Sequence, residues 1–490
     1  MTHVETKESL GIKIGLEVHV QLTALKTKLF CGCDADYRSA PPNTHTCPIC
    51  LGLPGSLPVV NEKAVESIIK IALALNCKII TDKEVRFFRK NYFYPDLPKG
   101  YQISQYDRAG GFPVAVNGTV EVNGKKIRIR RVHMEEDPGK LSYEGSLETS
   151  QYVLVDYNRS GIALVEIVTE PDLRSPREAR VFLQKLRTII ETLEVADFRL
   201  EGSLRCDANI SLKGGERVEV KNISSYKDVE RALNYETLRQ KSALSKEQTI
   251  EQETRHWDEV RRVTYGSRIK ETEHEYRYFN EADIPSLIFS KDIIEKTAKE
   301  MPELPDQRKT RFIQEYDIPP YDAGVLTGNK HLADIFENCV KLYPHPKTAS
   351  NWLMTDFLRY VGEHDLEIEE VPITPNKIVK MLQLIDKGII SGKIAKKILK
   401  EMLSTGKDPE KIIEEHGLTR IHDEKEIEKV CEETFNENPK AVKDAKKDKK
   451  AINYLVGKIM EKTKGRADPK ITQKIVKKML KGNREEPTAE

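Results

Sequence analysis

Cys31, Cys33, Cys47 and Cys50 form a C-x-C pair and a C-x-x-C pair with thirteen residues between them. Two cysteine pairs on short turns can bring four thiolates to one point without strain, and zinc closes such a set into a tetrahedron. Gly32, Pro41, Pro42 and Pro48 lie in the same stretch and suit the turns this requires. All four ligands come from the chain, so the expected zinc is structural, with no position left open for a substrate. The stretch lies between Gly15-Leu16-Glu17-Val18-His19-Val20-Gln21-Leu22 and Leu51-Gly52-Leu53-Pro54-Gly55-Ser56-Leu57-Pro58. A metal-stiffened loop is therefore expected beside a strand bearing Glu and His.

With 490 residues the chain is long enough for two or three domains and a full hydrophobic core. No run reaches the roughly 18 apolar residues of a membrane helix, and Met1 to Gly11 has no apolar leader core. These features fit a cytoplasmic, thiol-reduced protein without a membrane partner. The net charge of +2 conceals a reversal near the C-terminus. From 401 to 439 acids outnumber Lys and Arg by 12 to 5, whereas from 440 to 481 Lys and Arg outnumber acids by 15 to 4. The second block is a candidate contact for a polyanion such as RNA.

The hydrophobic pattern predicts an α+β region over 1–293, an all-helical region over 294–408 and a small helical tail over 409–490. Alternation in Gly118 to Gly124 and in Lys126 to His133 predicts antiparallel strands, and Asn61 to Leu75 and Ser175 to Leu193 read as helices. Beyond Pro285 the pattern is helical. Pro302, Pro305, Pro319, Pro320, Pro344, Pro346, Pro372 and Pro375 mark the expected breaks.

Within the first region, acids occur where an apolar core would not place them. Glu135, Glu136 and Asp137 are consecutive and repel one another unless a cation compensates. Glu17 and His19 share one face of a strand, and Glu166 interrupts the apolar run Leu164 to Val168. Inward carboxylates from several strands, with His19 beside them, would give hard donors for magnesium. Arg159, Arg205 and Lys221 suit phosphate oxygens. Cross-strand ion pairs account for each residue taken singly. The chain has no G-x-x-x-x-G-K-[ST] loop, G-x-G-x-x-G fingerprint or G-x-S-x-G elbow, so neither a standard nucleotide crevice nor a serine hydrolase is indicated. From the residues alone, a metal-dependent transferase, a metal-dependent nuclease or phosphatase, and a zinc-stabilised RNA-binding protein all remain open.

Several long runs resemble one family. Gly15 to Leu22, Cys47 to Gly55, Arg89 to Gln105, His133 to Lys140, Asp156 to Gly161, Glu201 to Asn209, Glu219 to Ser225 and Gln252 to Arg255 occur in the order found in the GatB family, the B subunits of tRNA-dependent Asp/Glu amidotransferases. The resemblance implies a cradle domain similar to glutamine synthetase, a helical domain and a tRNA-contacting tail. It also implies an ATP-dependent carbon-nitrogen ligase, working in a heterotrimer with an amidase, its A subunit, and with a small C subunit. The expected reaction phosphorylates the side-chain carboxylate of Asp or Glu mischarged on tRNA and then displaces phosphate with ammonia. On this reading Glu17, His19, Glu136 and Glu166 are catalytic. Glu17, His19, Glu135, Glu136 and Glu166 hold magnesium, Arg159, Arg205 and Lys221 meet ATP phosphates, and Lys90, Tyr92 and Tyr94 border the acceptor end.

Overall fold

Asn123 and Gly124 both have positive φ, 50° and 79°, and this two-residue turn folds strands β5 (Ala115–Val122) and β6 (Lys125–Glu136) back on each other. The computed structural model describes residues 11–108, 110–144, 150–266, 273–419, 421, 423–445, 449–463 and 466–482. The leader reading of residues 1–10 and Lys446, Lys447 and Lys464 of the basic block fall outside these residues. The chain divides into two compact units, Met1–Pro305 and Asp306–Glu490.

The first unit is α+β. Its other strands are β1 (Lys13–Gln21), β2 (Lys78–Ile79), β3 (Phe87–Asn91), β4 (Tyr101–Gln105), β7 (Lys140–Tyr143), β8 (Val153–Asp156), β9 (Ala163–Thr169), β10 (Leu204–Ser211), β11 (Val218–Ile223), β12 (Glu253–Asp258), β13 (Val263–Gly266) and β14 (Phe279–Asn280). Twelve of them form one sheet in the order β13-β12-β11-β10-β1-β9-β6-β4-β3-β14, with β5 hydrogen-bonded to β6 and β2 to β5. Apart from the parallel β11–β12 pair, the paired strands of this sheet are antiparallel.

The sheet has two chemically different faces. Leu16, Val18 and Val20 of β1, Val132 and Met134 of β6, Val165 and Ile167 of β9, and Ala208 and Ile210 of β10 are buried in one core with α1 (Glu62–Ala74), α2 (Pro176–Thr192) and α3 (Tyr226–Ser245). Asn61 and Ser175 cap the first two helices, their side chains accepting from the Ala64 and Glu178 amides. Side chains two apart in a strand share a face, so the residues between these apolar positions project to the other side. There the site is built.

The first unit extends past 293 to Pro305. Helix α4 (Lys291–Lys299) contacts α1, and Ile294, Met301 and Leu304 pack against the sheet's core. From the end of the first unit onward, helices begin at Pro305, Pro320, Pro346, Pro375, Pro409, Pro439 and Pro469, a position where proline's missing amide costs no helical hydrogen bond. Two separate cores lie within the second unit, one from Phe312 to Ile413 and one from Ile421 to Leu480. Gly406, at φ 67°, ends the helix Gly392–Thr405, a conformation that favours glycine. The acidic and basic blocks meet here: Lys462, Lys474 and Lys478 pair with Glu437, Glu424 and Glu428 at 2.6, 3.7 and 3.5 Å. No helix among the described residues is long and apolar enough to cross a membrane.

Candidate active site

Strand register brings the polar face together. His19 on β1 lies opposite Glu166 on β9, Glu166 lies opposite His133 on β6, and on its other side His19 lies opposite Arg205 on β10. Glu17 is opposite Asp207, and Glu135 is paired with Ser104 of β4. As a result His19 Nε2 stands 3.8 Å from Glu17, 3.3 Å from Glu135 and 3.5 Å from Glu166. His133 Nε2 is 3.3 Å from Glu166, whose other oxygen accepts from Arg131 at 3.2 Å.

The charges here are mutually dependent. Burial opposes ionisation of Glu166, but the charges and hydrogen bonds of His133 and His19 overcome it and hold its carboxyl well below the usual range. Burial likewise works against a charged His19, and Glu135 and Glu166 raise its pKa well above normal. Glu17 goes the other way. The negative charge of Glu166, followed by burial, pushes its carboxyl up to about 7. Without a further cation the cluster carries one carboxylate more than its neighbours comfortably stabilise. Three carboxylates and two imidazoles are donors that a divalent cation accepts, with oxygen donors suiting magnesium. Glu17, His19 and Glu166 form one compact donor set and His133, Glu135 and Glu166 another, the donor atoms of each lying within 4.8 Å of one another. Farther along the same face, the Asn209 Oδ1 atom is buried without a hydrogen-bond partner.

Sequence reasoning placed Glu136 in this cluster, and the geometry removes it. Consecutive residues of an extended strand point to opposite sides, so Glu136 leaves the polar face that Glu135 enters. Its carboxylate is buried, 2.5 Å from Lys99 Nζ, and accepts from the Ile103 amide at 2.8 Å. It lines a cleft of about 150 Å³ with Cys31, Cys50, Lys99, Gly161 and Asp283. Arg159 is also corrected: its guanidinium donates to the carbonyls of Pro138 and Gly139 at 2.9 and 2.6 Å, lies 3.8 Å from the Asp137 carboxylate, and so is committed to the segment that follows β6. Arg205 and Lys221 remain on the polar face, each about one-third exposed. Arg205 pairs with Asp137 at 2.5 Å and Lys221 with Asp207 at 2.7 Å. Lys90 lies over the rings of Tyr276 and Tyr92, within reach of Glu135's charge, while Tyr94 is exposed.

The four cysteine sulfurs converge within 4.8 Å of one another, against about 3.8 Å between sulfurs in a tetrahedral zinc site. Cys50 is the acidic member. A hydrogen bond from Cys31 and the charge of Lys28 draw its thiol down to about 4, while the same hydrogen bond pushes Cys31 up. Four converging soft donors fit a structural zinc.

Residues 12–295 match the family model of the GatB/GatE catalytic domain, and residues 334–480 match that of the GatB domain. The chain belongs to the GatB family. A relative from Saccharolobus solfataricus, named as the B subunit of aspartyl/glutamyl-tRNA(Asn/Gln) amidotransferase, is 52% identical over 470 residues, 96% of this chain and 99% of the relative. Its namesake from Thermotoga maritima is 52% identical over 482 residues, 96% and 98% of the two chains. One from Carboxydothermus hydrogenoformans is 50% identical over 479 residues, 95% and 98%. In this GatB-family chain the structure adds His133 and Arg131 to the residues that sequence reasoning selected. A signal for His133 was present, since it precedes Glu135 by two positions in a strand. Arg131 had the same spacing, but a basic residue among so many carried no distinguishing mark.

Proposed function

We propose that this chain is the B subunit of a tRNA-dependent amidotransferase, a cytoplasmic carbon-nitrogen ligase. It would convert Asp-tRNA(Asn), Glu-tRNA(Gln) or both to the amidated forms, using ATP and ammonia released by a partner amidase, the A subunit, in a complex that includes the small C subunit. The observation that carries this reading is the crowded carboxylate–imidazole face in a chain of the GatB family. An amine does not displace oxide from a carboxylate, so the acid must first be activated. The substrate carboxylate oxygen attacks the γ-phosphorus of ATP and ADP leaves. Ammonia then attacks the acyl carbon, loses a proton, and phosphate departs with the bonding pair.

Glu17, His19, Glu135 and Glu166 would hold magnesium, with His133 and Arg131 orienting Glu166. Magnesium, when bound there, neutralises phosphate charge during transfer. Arg205 and Lys221 sit on the same face, where their partly exposed cations would draw anionic phosphates. Lys90, Tyr92 and Tyr94 would border the acceptor end. The cysteines would hold a structural zinc. The cradle, the helical domain and the tail would divide catalysis from tRNA contact, with the lysines of 440–481 meeting the phosphate backbone in a salt-dependent, sequence-blind way.

The test is conversion of Asp-tRNA(Asn) and Glu-tRNA(Gln) to their amides by the purified chain with ATP, magnesium and ammonium, with and without the partner proteins. Amide formation is expected and would also identify the substrate. Intact tRNA bound without product, even with partners present, would favour a non-catalytic RNA-binding role. Cleaved tRNA without ATP would point to a nuclease.

A further inference from the structure

Lys28 is fully buried, an environment lysine seldom tolerates without compensation. Its ammonium donates to the His45 carbonyl at 2.8 Å, to the Tyr157 carbonyl at 3.3 Å and to Cys50 Sγ at 3.7 Å. No carboxylate is among these partners, and Glu136, whose carboxylate lies beside the same Gly161, is already paired with Lys99 at 2.5 Å, which leaves a cysteine sulfur as the bonded partner able to balance the Lys28 charge. Four thiolates around one zinc ion carry a net charge of −2, and a buried anion of that size needs nearby positive charge or donors. The Cys47 amide supplies one donor to Cys50 Sγ, at 3.2 Å. Lys28 supplies the charge.

Lys28 is also tied into a clasp. The loop it supports grips the turn after β8: the His45 amide donates to Asn158 Oδ1 at 2.7 Å, Asn158 Nδ2 donates to the Pro41 carbonyl at 2.8 Å, and the Leu29 amide donates to the Gly161 carbonyl at 2.9 Å. Gly161 has φ +86°, and a Cβ there would stand 3.5 Å from Cys50 and 3.6 Å from Lys28. The Gly161 amide donates to the Asp137 carbonyl at 2.9 Å, and the Asp137 carboxylate holds Arg205 and Gln21 of the polar face.

We propose that Lys28 is a positioning residue that balances the charge of the zinc–cysteine cluster and pins it to the Tyr157–Gly161 turn. This rests on the zinc reading, and zinc content of the wild-type chain by mass spectrometry tests that reading separately. The two variants are Lys28→Gln, which keeps an amide donor for the carbonyls without the charge, and Lys28→Met, which removes both. Zinc affinity is measured by chelator competition, and melting is followed with zinc bound and after its removal. The expected result for Lys28→Gln is zinc affinity about 10- to 100-fold below wild type, with a larger drop in melting temperature for the zinc-bound form than for the metal-free form. Lys28→Met should lose at least as much affinity. If Lys28→Met does not fold, Lys28→Gln alone decides. Unchanged zinc affinity, or equal melting losses in the two forms, would make Lys28 a strut indifferent to metal and overturn the proposal. A wild-type chain without zinc would instead remove the reading beneath it.

Discussion

The cysteine loop and the polar face of the sheet each gather side chains that could hold a metal, but they gather different kinds. The loop offers four sulfurs, a closed set whose neighbours are backbone amides, carbonyls and one buried ammonium. The face offers oxygens and imidazoles, a mixed set flanked by partly exposed Arg205 and Lys221. Closed soft coordination holds a shape, whereas hard donors beside partly exposed cations can accept and release a charged substrate. The loop's hydrogen bonds run toward Asp137 and so toward the face.

This contrast predicts effects of different size and kind. The largest belongs to the face: Glu135→Gln should lower the rate of phosphate transfer by about 10²- to 10³-fold, because His19 loses one of its charged partners, and steady-state ADP release in the assembled enzyme measures it. Next is the loop, where Cys47→Ser should abolish stoichiometric zinc and lower the melting temperature by roughly 5–10 °C. Normal zinc content in that variant would break the four-cysteine assignment.

A third effect is set by Glu17. Its folded pKa of about 7 lies above the ordinary value of 4.5, so the folded state binds the extra proton. Stability of the metal-free protein should therefore fall as pH rises from about 4.5 through about 7. Magnesium binding must expel that proton and also the one on His19, whose pKa, against burial, Glu135 and Glu166 raise well above normal. Affinity for magnesium should thus weaken as pH falls by up to about tenfold per pH unit for each proton released, with the Glu17 share appearing below about pH 7. Calorimetric titrations at several pH values would lack that added steepening below about pH 7 if Glu17 is not a ligand. The smallest effect belongs to the tail. Reversing exposed Lys474, Lys477 and Lys478 to Glu should raise the apparent KM for tRNA and flatten its salt dependence by about one unit of log–log slope for each phosphate no longer neutralised, with kcat at saturating tRNA unchanged.

Much of this organisation was legible in the sequence because it follows local rules. Alternation put Glu17 and His19 on one strand face, the cysteine spacing marked the loop, and prolines marked the breaks between helices. The same alternation rule separates Glu135 from Glu136, yet a run of three acids reads as one charge cluster until the strand is seen to continue through it. Arg159 illustrates another limit. Its carbonyl partners lie twenty and twenty-one residues away on the segment that follows β6, and no local pattern encodes that. The pairing of the acidic helix Glu424–Glu437 with lysines near 474 is long-range for the same reason. Charge counts gave the two blocks but not their mutual pairing.

The most direct test of the division between catalysis and tRNA binding is tRNA-dependent ADP release without ammonia, compared between the wild-type and Glu166→Gln enzymes, with binding of mischarged tRNA measured on the same samples. Glu166→Gln is expected to bind tRNA within about threefold of wild type while ADP release falls at least about 100-fold. A wild-type rate of release, or a loss of release matched by an equal loss of binding, would contradict that division.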